Sequence, residues 1–362
     1  MRKLRVLVLT PLGKGGRGGI DRIMDEVRAR LFDEPPQDLI VEFAATRGEW
    51  SIAFSAPLVM LAALRILGAA GEKPDLVHIN LAQDGSTLRK SFLARVTSFA
   101  GVPYVIHLHG SRFRTSWERA NGRKSAAIKS FFVSATHVLV LGTAWRDYVL
   151  SKAPEIAGRI KIFPNATPLA PERGFAGSGA DIHILFLGVL SERKGTPILI
   201  QALGALKDTP GWRATLAGNG DVKGANAAIS ALGLSDRVSL PGWVGPDEVR
   251  RLLGEGDILV LPSQDENLPM SVIEGMAHGL AVVTTPVGAI TDIVAHERTG
   301  LLTRPGDAEA LEAALRRLIG DSGLRERLGK EARAFHRAHL EIDAYYRRLL
   351  DIWRRAARAR IA

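Results

Sequence analysis

Short apolar runs alternate with longer stretches of helical periodicity along most of this 362-residue chain. Runs such as Leu-Phe-Leu at 185–187 and Ile-Leu-Val-Leu at 258–261 are apolar at every position, which is typical of strands buried on both faces of a parallel sheet. The strands predicted in the first half are Arg5–Thr10, Leu39–Ala44, Leu76–Asn80, Tyr104–His109, Val138–Leu141 and Ile160–Phe163. Those predicted in the second half are Ile182–Val189, Arg213–Ala217, Val238–Leu240, Ile258–Leu261 and Ala281–Thr284. This alternation of strands and helices predicts an α/β architecture of doubly wound, Rossmann-like folds.

The length and the local composition predict two such domains and a terminal helix. Residues 1–165 form the predicted N-terminal domain, and a Pro-, Gly- and Ser-rich linker is predicted at 166–180. Residues 181–340 form the predicted C-terminal domain. The segment 341–362 is predicted to be a helix, with one apolar face, that packs back on the N-terminal domain.

Residues 51–70 are almost uncharged, and their length approaches that of a membrane span. Pro57 interrupts this segment early and Arg65 lies well inside it, so the sequence favours a buried or interfacial helix at 57–67 over a transmembrane span. The chain contains no cysteine, which excludes disulfides, thiol nucleophiles and cysteine-ligated zinc and is compatible with a cytoplasmic protein.

The net charge of +10 is unevenly distributed along the chain. Residues 1–165 carry +10, residues 166–340 carry −3 and residues 341–362 carry +3, and the segment 86–129 has nine basic residues against one acid. This asymmetry predicts an anionic partner for the N-terminal half, although an evenly solvated basic surface would have the same composition. Nucleic acid is the least favoured such partner, because no recognition motif accompanies the charge.

Two features at predicted carboxyl ends of strands in the N-terminal half are candidates for ligand binding. A glycine-rich loop containing Gly15, Gly16 and Gly18 follows the first strand and precedes a helix, so its backbone N–H groups could hold an anion or a dinucleotide. Glu42 is near the place where a dinucleotide-binding fold needs an acid, but it does not end its strand. His109 meets a glycine at the end of the fourth strand, which favours a functional role over a buried structural one.

The C-terminal half contains a denser group of polar residues. Gly188 follows a strand, Arg193 and Lys194 precede the next helix, and adjacent cations at such a point suit a diphosphate. After the strand 258–261 comes a loop with Glu266 and then a helix with Glu274. Free N–H groups at the start of that helix could hold phosphates, Glu274 could accept from ribose hydroxyls, and Glu266 could accept from the hydroxyls of a group beyond the phosphates.

The stretch Pro-Ser-x-x-Glu266-x-Leu-Pro-x-Ser-x-Ile-Glu274-Gly-Met-Ala-His-Gly-Leu-Ala-Val-Val-Thr-Thr-Pro-Val-Gly resembles the donor-binding signature of family 4 glycosyltransferases. The segments Gly188 to Gly195 and 218–220 are similar to other donor-side signatures of that family. The glycine loop, His78, His107-Leu-His109-Gly110 and Phe163-Pro-Asn165 resemble its acceptor domain. The resemblance extends over essentially the whole chain.

This resemblance implies the GT-B fold, in which an N-terminal acceptor-side domain and a C-terminal nucleotide-sugar domain face each other across a cleft. It also implies retention of anomeric configuration, a nucleoside-diphosphate sugar as donor and no obligatory metal or other cofactor. The implied catalytic residues are His109, Arg193, Lys194 and Glu266. The implied donor-binding residues are Gly15, Gly16, Gly18, Gly188, Asn219, Gly242, Asn267, Leu268, Pro269, Met270, Ser271 and Glu274.

Two positions depart from the family pattern. Val189 stands where the family usually has an arginine, and Arg193 is the candidate replacement. The family's Asn-Gly pair at the hinge is Asn165-Ala166 in this chain.

We expect a glycan or lipid-linked acceptor, in cell-surface polysaccharide or glycolipid synthesis, with a small soluble acceptor as the alternative and an NAD-dependent oxidoreductase as a distant one. The charge of 86–129 predicts an enzyme held at the inner face of a membrane. Aromatic side chains within or just after this segment are expected to insert at the interface: Phe92, Phe113, Trp117, Phe131 and Phe132.

Overall fold

A computed structural model describes residues 2–13, 15–16, 18–48, 55–82, 85–171 and 181–359. The chain divides into an N-terminal unit, Met1–Ala166 with Ile342–Ala362, and a C-terminal unit, Thr167–Glu341. Most of the linker predicted at 166–180 lies outside the described residues. The two units are similar in kind, because each is built around a six-stranded parallel sheet.

The N-terminal unit has the sheet order β2-β1-β3-β4-β5-β6. Its strands are β1 (Leu4–Thr10), β2 (Leu39–Ala45), β3 (Leu76–Leu81), β4 (Tyr104–Leu108), β5 (His137–Val140) and β6 (Ile160–Ile162). Its helices are α1 (Gly19–Asp33), α2 (Ala56–Leu67), α3 (Gly85–Phe99), α4 (Phe113–Glu118), α5 (Gly122–Val133), α6 (Thr143–Lys152) and α13 (Ile342–Arg358). All residues of β3 and β4 are buried, as the apolar runs predict.

The C-terminal unit has the sheet order β12-β11-β10-β7-β8-β9. Its strands are β7 (Ile182–Leu187), β8 (Trp212–Ala217), β9 (Val238–Gly242), β10 (Ile258–Leu261), β11 (Ala281–Thr284) and β12 (Leu301–Leu302). Its helices are α7 (Thr196–Ala205), α8 (Val222–Ala231), α9 (Pro246–Glu255), α10 (Met270–Ala277), α11 (Ala308–Gly320) and α12 (Ser322–His339). The two-residue strand β12 was not predicted, because so short a run has no periodicity to recognise.

The nearly uncharged segment at 51–70 contains a helix of twelve residues, α2. Pro57 lies in its first turn, where the missing N–H has no helical partner to lose. Gly68 ends the helix in the left-handed conformation, with φ at 79°, and its N–H bonds back to Arg65 O. Within the part of the chain that the structure describes, no helix is long and apolar enough to cross a membrane.

The C-terminal helix α13 belongs to the N-terminal unit, which confirms this part of the predicted fold. It packs against α1, β1 and β3. The Trp353 indole N–H donates to His78 Nδ1 at 2.9 Å inside this interface, and Arg354 forms an ion pair with Asp38 at 2.8 Å. The apolar face of α13 is therefore part of the N-terminal core.

The expectation that aromatic residues of the basic segment insert into a membrane is wrong for four of the five. Phe113, Trp117, Phe131 and Phe132 are at most 5% exposed, and they belong to the core of the N-terminal unit. Trp117 stacks on Phe132 with ring centroids 5.2 Å apart. Only Phe92, at 46% exposure, faces solvent. These residues stabilise the packing of α4 and α5 instead.

Candidate active site

Several candidate donor-binding residues lie along one edge of the C-terminal sheet. Gly188 directly follows β7, Asn219 follows β8, and β9 ends at Gly242. Because the strands are parallel, their carboxyl ends share this edge, where open α/β sheets bind ligands. Gly218 N donates to Gly242 O at 2.8 Å, and Leu190 N donates to Asn219 O at 2.6 Å, so backbone bonds tie these loops together.

The catalytic candidates of the C-terminal unit form one charged cluster at the same edge. Lys194 Nζ is ion-paired with Glu266 Oε1, and Arg193 Nη1 lies 3.4 Å from the same oxygen. Arg193 Nη1 also donates to Asp265 O at 2.9 Å, and the Ser263 hydroxyl donates to Glu266 Oε1 at 3.2 Å. The side chains of Lys194 and Glu266 are only 13% and 9% exposed. The carboxylate is therefore held by three donors in a place with little water.

A tight turn before α7 brings the two cations to Glu266. The Ser191 side chain accepts from the backbone N–H of Lys194, and Gly195 ends the turn with φ at 73°. A Cβ at Gly195 would lie 2.0 Å from Pro262 O, so only glycine allows this approach of the two loops. Gln264 N donates to Arg193 O at 2.8 Å, which fixes the loop before α10 against the turn.

The backbone around Glu266 is fixed from the other side by the segment after β11. Ala289 N donates to Asn267 O at 2.7 Å. Gly288 has φ at 62°, and a Cβ there would lie 2.2 Å from Glu266 O. Leu268, like Glu266 and Asn267, is at most 8% exposed. The loop thus presents Glu266 from a close-packed backbone, as a site that depends on geometry requires.

The helix α10 begins directly after this loop, and all of its residues are buried. Pro269 is its N-cap residue in an extended conformation, so Met270 opens the first turn. The N–H groups of Met270 and Ser271 point out of that turn, where an anion is favoured by the helix dipole. Glu274 is 8% exposed and lies about 6 Å further along the axis, from the 1.5 Å rise per residue.

His109 lies in the N-terminal unit, one residue beyond β4, and is half-buried. Its Nε2 is 3.0 Å from Asn80 Oδ1, and the Asn80 amide nitrogen donates to Leu9 O at 3.2 Å. The second bond fixes the Asn80 amide so that its oxygen faces His109, which must therefore donate from Nε2. Burial lowers the pKa of His109 to about 3, with a further contribution from His78. His109 is thus a neutral ring with an acceptor at Nδ1.

The ring of His109 is also supported by two buried histidines. The ring centroids of His107 and His109 are 4.0 Å apart, and those of His78 and His107 are 5.6 Å apart. Burial lowers the pKa of His107 as well, and that of His78 to about 3. Both are neutral core residues.

The glycine loop of the N-terminal unit is bound by carboxylates of its own helix. Gly15 N donates to Asp25 Oδ2 at 2.9 Å, and Leu12 N donates to Asp21 Oδ1 at 3.1 Å. A Cβ at Gly16 would lie 2.5 Å from the Asp21 carboxylate. An anion at the Gly15 N–H would have to displace the Asp25 carboxylate, which disfavours a phosphate role for that group. Asp21 and Asp25 were not predicted from the sequence, although both lie within two helical turns of the glycines.

Ser263 is a second residue that the sequence argument did not single out. Its hydroxyl bonds to Glu266, and it is fully buried. The sequence feature that could have identified Ser263 is its position in a Pro-Ser pair, three residues before Glu266. Glu42, the acid considered for a dinucleotide site, instead forms an ion pair with Arg5 at 3.0 Å.

Comparisons with known proteins agree with this geometry. Residues 175–335 match the family model of glycosyl transferases group 1, and residues 2–166 match the glycosyl transferase 4-like domain. The chain belongs to the group 1, family 4-like glycosyltransferases. Its fold is of the GT-B class, and the two family models correspond to its two sheets.

Three known proteins illustrate the similarity of this glycosyltransferase to others. The amylovoran biosynthesis glycosyltransferase AmsK of Erwinia amylovora is 34% identical over 49% of this chain and 45% of its own length. The 2-deoxystreptamine glucosyltransferase of Streptomyces kanamyceticus is 28% identical over 76% of this chain and 78% of its own. The structure of Anabaena Alr3699/HepE with UDP and glucose has a TM-score of 0.75 at 20% identity, over 97% of this chain and 99% of that one. The match thus spans less than half the length of the first relative.

Proposed function

We propose that this glycosyltransferase transfers a sugar from a nucleoside-diphosphate sugar to a hydroxyl group with retention of anomeric configuration. The observation that supports the donor class is the cluster of Arg193, Lys194 and Glu266 beside the first turn of α10, one turn before Glu274. Cations and free N–H groups suit a diphosphate, and the two glutamates suit hydroxyl groups on either side of it.

The cations act on the leaving group. When the bond between the anomeric carbon and the diphosphate breaks, negative charge builds up on the departing oxygen. Lys194, Arg193 and the N–H groups of Met270 and Ser271 stabilise that charge in a place with little water. The proton of the acceptor hydroxyl passes to the departing diphosphate. The cations and N–H groups offset the charge of the diphosphate in the way that a metal ion would. Arg193 replaces the arginine that the family has at the position of Val189. Its side chain reaches Glu266 from the same turn as Lys194.

The glutamates and His109 bind and orient the substrate. Glu274 accepts from ribose hydroxyls. Glu266 accepts from sugar hydroxyls through Oε2, since its contacts with Lys194 and Ser263 are both to Oε1. His109 offers Nδ1 as an acceptor, because its Nε2 is committed to Asn80. Its neutral state avoids a charge where the sugar hydroxyls lie.

The acceptor is proposed to be a glycan or a lipid-linked sugar. Similarity to the amylovoran biosynthesis glycosyltransferase of Erwinia amylovora supports this choice. Similarity to the 2-deoxystreptamine glucosyltransferase and the alpha-D-kanosaminyltransferase of Streptomyces kanamyceticus supports the alternative of a small soluble acceptor. An assay with lipid-linked and soluble acceptors in parallel separates the two.

The decisive experiment is a hydrolysis screen of UDP-, GDP- and ADP-sugars without acceptor. We expect slow release of sugar from one nucleotide class, and proton NMR of the first product formed should show the anomer of the donor. Release of the opposite anomer would overturn retention, and a thermal shift with NAD but with none of the nucleoside diphosphates would favour an oxidoreductase.

A further inference from the structure

The helix α2 of the N-terminal unit has an exposed face without a polar side chain. Its exposed positions follow helical spacing along one side, and every one of them is apolar: Ala56, Pro57, Met60, Leu61, Leu64 and Leu67. Met60 is 58% exposed and Leu67 is 44% exposed. A helix on a water-facing surface normally has charged or polar residues on this side. The face of α2 is therefore suited to contact with something other than water.

The neighbouring helix α3 extends this surface. Leu88, Phe92, Arg95 and Phe99 are exposed and follow one another at spacings of four, three and four residues, which places them on one stripe. Phe99 is 88% exposed and Leu88 70%. The helices α2 and α3 pack against each other. We call the exposed residues of these two helices the α2–α3 face.

The apolar residues of this face are concentrated and not scattered. Of the eleven large apolar side chains that are exposed in the described parts of the chain, seven belong to the α2–α3 face. Isolated exposed apolar residues need no explanation, but a contiguous patch of this kind marks an interaction surface.

The charged residues of the two helices that form the face are all basic. Neither α2 nor α3 contains an acid, and residues 85–117 contain none. Arg95 lies within the stripe of α3. The helix α5 packs against α3, and Arg123 and Lys124 in its first turn are exposed. Exposed apolar side chains on helices whose charged residues are all basic have the chemistry that suits an anionic lipid surface.

We propose that the α2–α3 face binds an anionic lipid bilayer, with its apolar side chains in the interfacial layer and its cations on the headgroups. A second copy of the chain suits the face less well, since a two-fold contact would set Arg95 and its neighbours against like charges. The inference does not rest on sugar transfer, because it uses residues outside the candidate active site.

Vesicle sedimentation of the full chain tests the proposal. We expect the protein to sediment with vesicles of phosphatidylcholine containing 30% phosphatidylglycerol, and much less with phosphatidylcholine alone. Raising the salt concentration from roughly 0.05 to 0.5 M should weaken binding, because it screens the cations. The double substitution Leu64→Glu/Phe99→Glu should lower binding at least ten-fold. Phe32→Glu is the matched control, since Phe32 is 86% exposed on α1, and it should bind as the unsubstituted protein does.

Circular dichroism and nucleoside-diphosphate binding verify that each variant is folded. Equal loss of binding in the Phe32→Glu variant, or equal binding to both vesicle types at low salt, would overturn the proposal. So would a dimer in sedimentation equilibrium that Leu64→Glu/Phe99→Glu converts to monomer while vesicles stay unbound. Arg95→Gln should reduce binding to vesicles that contain phosphatidylglycerol and leave the weak binding to phosphatidylcholine vesicles unchanged. This difference separates the contribution of the cations from that of the apolar side chains.

Discussion

Lys194 and Glu266 form an ion pair, but removing the charge of one or of the other should change nucleoside-diphosphate binding in opposite directions. Lys194→Met removes the ammonium group and keeps most of the aliphatic stem. If Lys194 binds the diphosphate, one charge-assisted hydrogen bond is lost, which is worth about 1.5–3 kcal/mol. Binding of the nucleoside diphosphate should then weaken about 10- to 150-fold. The remaining carboxylate of Glu266 acts in the same direction, because it is only 9% exposed and repels phosphate.

Glu266→Gln should have the opposite effect on nucleotide binding. The amide retains the shape of the side chain and can still accept from Ser263, but it removes a negative charge beside the diphosphate. It also releases Lys194 and Arg193 from the ion pair. We expect nucleoside-diphosphate binding to tighten by roughly 1 kcal/mol, about five-fold, since the repulsion of a partly screened carboxylate is of that order. Donor hydrolysis should nevertheless fall, because the sugar loses an acceptor.

Isothermal calorimetry with the nucleoside diphosphate that the donor screen identifies measures both variants. The substitutions Lys330→Met and Glu326→Gln are the matched control, because they break an exposed ion pair on α12 and should change nothing. If the Lys194–Glu266 pair is only structural, each single substitution should weaken binding and stability alike, and the double variant should restore both. That pattern would refute the assignment of Lys194 to the diphosphate.

Four further results are expected. Glu274→Ala should lower kcat/KM for the donor at least ten-fold, roughly one charged hydrogen bond, and unchanged donor binding in calorimetry would contradict its ribose role. His109→Ala should nearly abolish donor turnover while the nucleoside diphosphate binds normally; normal turnover would make His109 structural. Activity should survive EDTA, and a loss that magnesium reverses would contradict metal-independent transfer. Burial lowers the pKa of His183 and His336 to about 4, so the unfolded chain binds more protons below pH 6.5. The free energy of unfolding should therefore fall between pH 6.5 and 4, by about 1.4 kcal/mol per pH unit for each histidine, and His336→Gln, unlike the exposed control His339→Gln, should reduce that slope in urea denaturation.

The sequence alone determined the strands and the donor half of the site. Buried parallel strands are continuous apolar runs, so their positions could be predicted within one or two residues at most ends. Glu266, the start of α10 and Glu274 lie within nine residues of one another, and their mutual placement follows from the loop and one helical turn. Lys194 could be assigned to the same site, because parallel strands bring the loops at their carboxyl ends to one edge of the sheet.

What the tertiary structure decided depends on contacts between residues far apart in the sequence. From the sequence, Phe113, Trp117 and Phe92 were all expected to insert into a membrane. Only the packing of α4 and α5 decides that Phe113 and Trp117 are core residues whereas Phe92 is exposed. The bond from Trp353 to His78 joins residues 275 positions apart, and no local pattern encodes it. The carboxylates on the glycine loop and the apolar face of α2 likewise depend on which neighbours fold against them. Periodicity tells which side of an element is apolar, whereas only the assembled layers determine whether that side is covered.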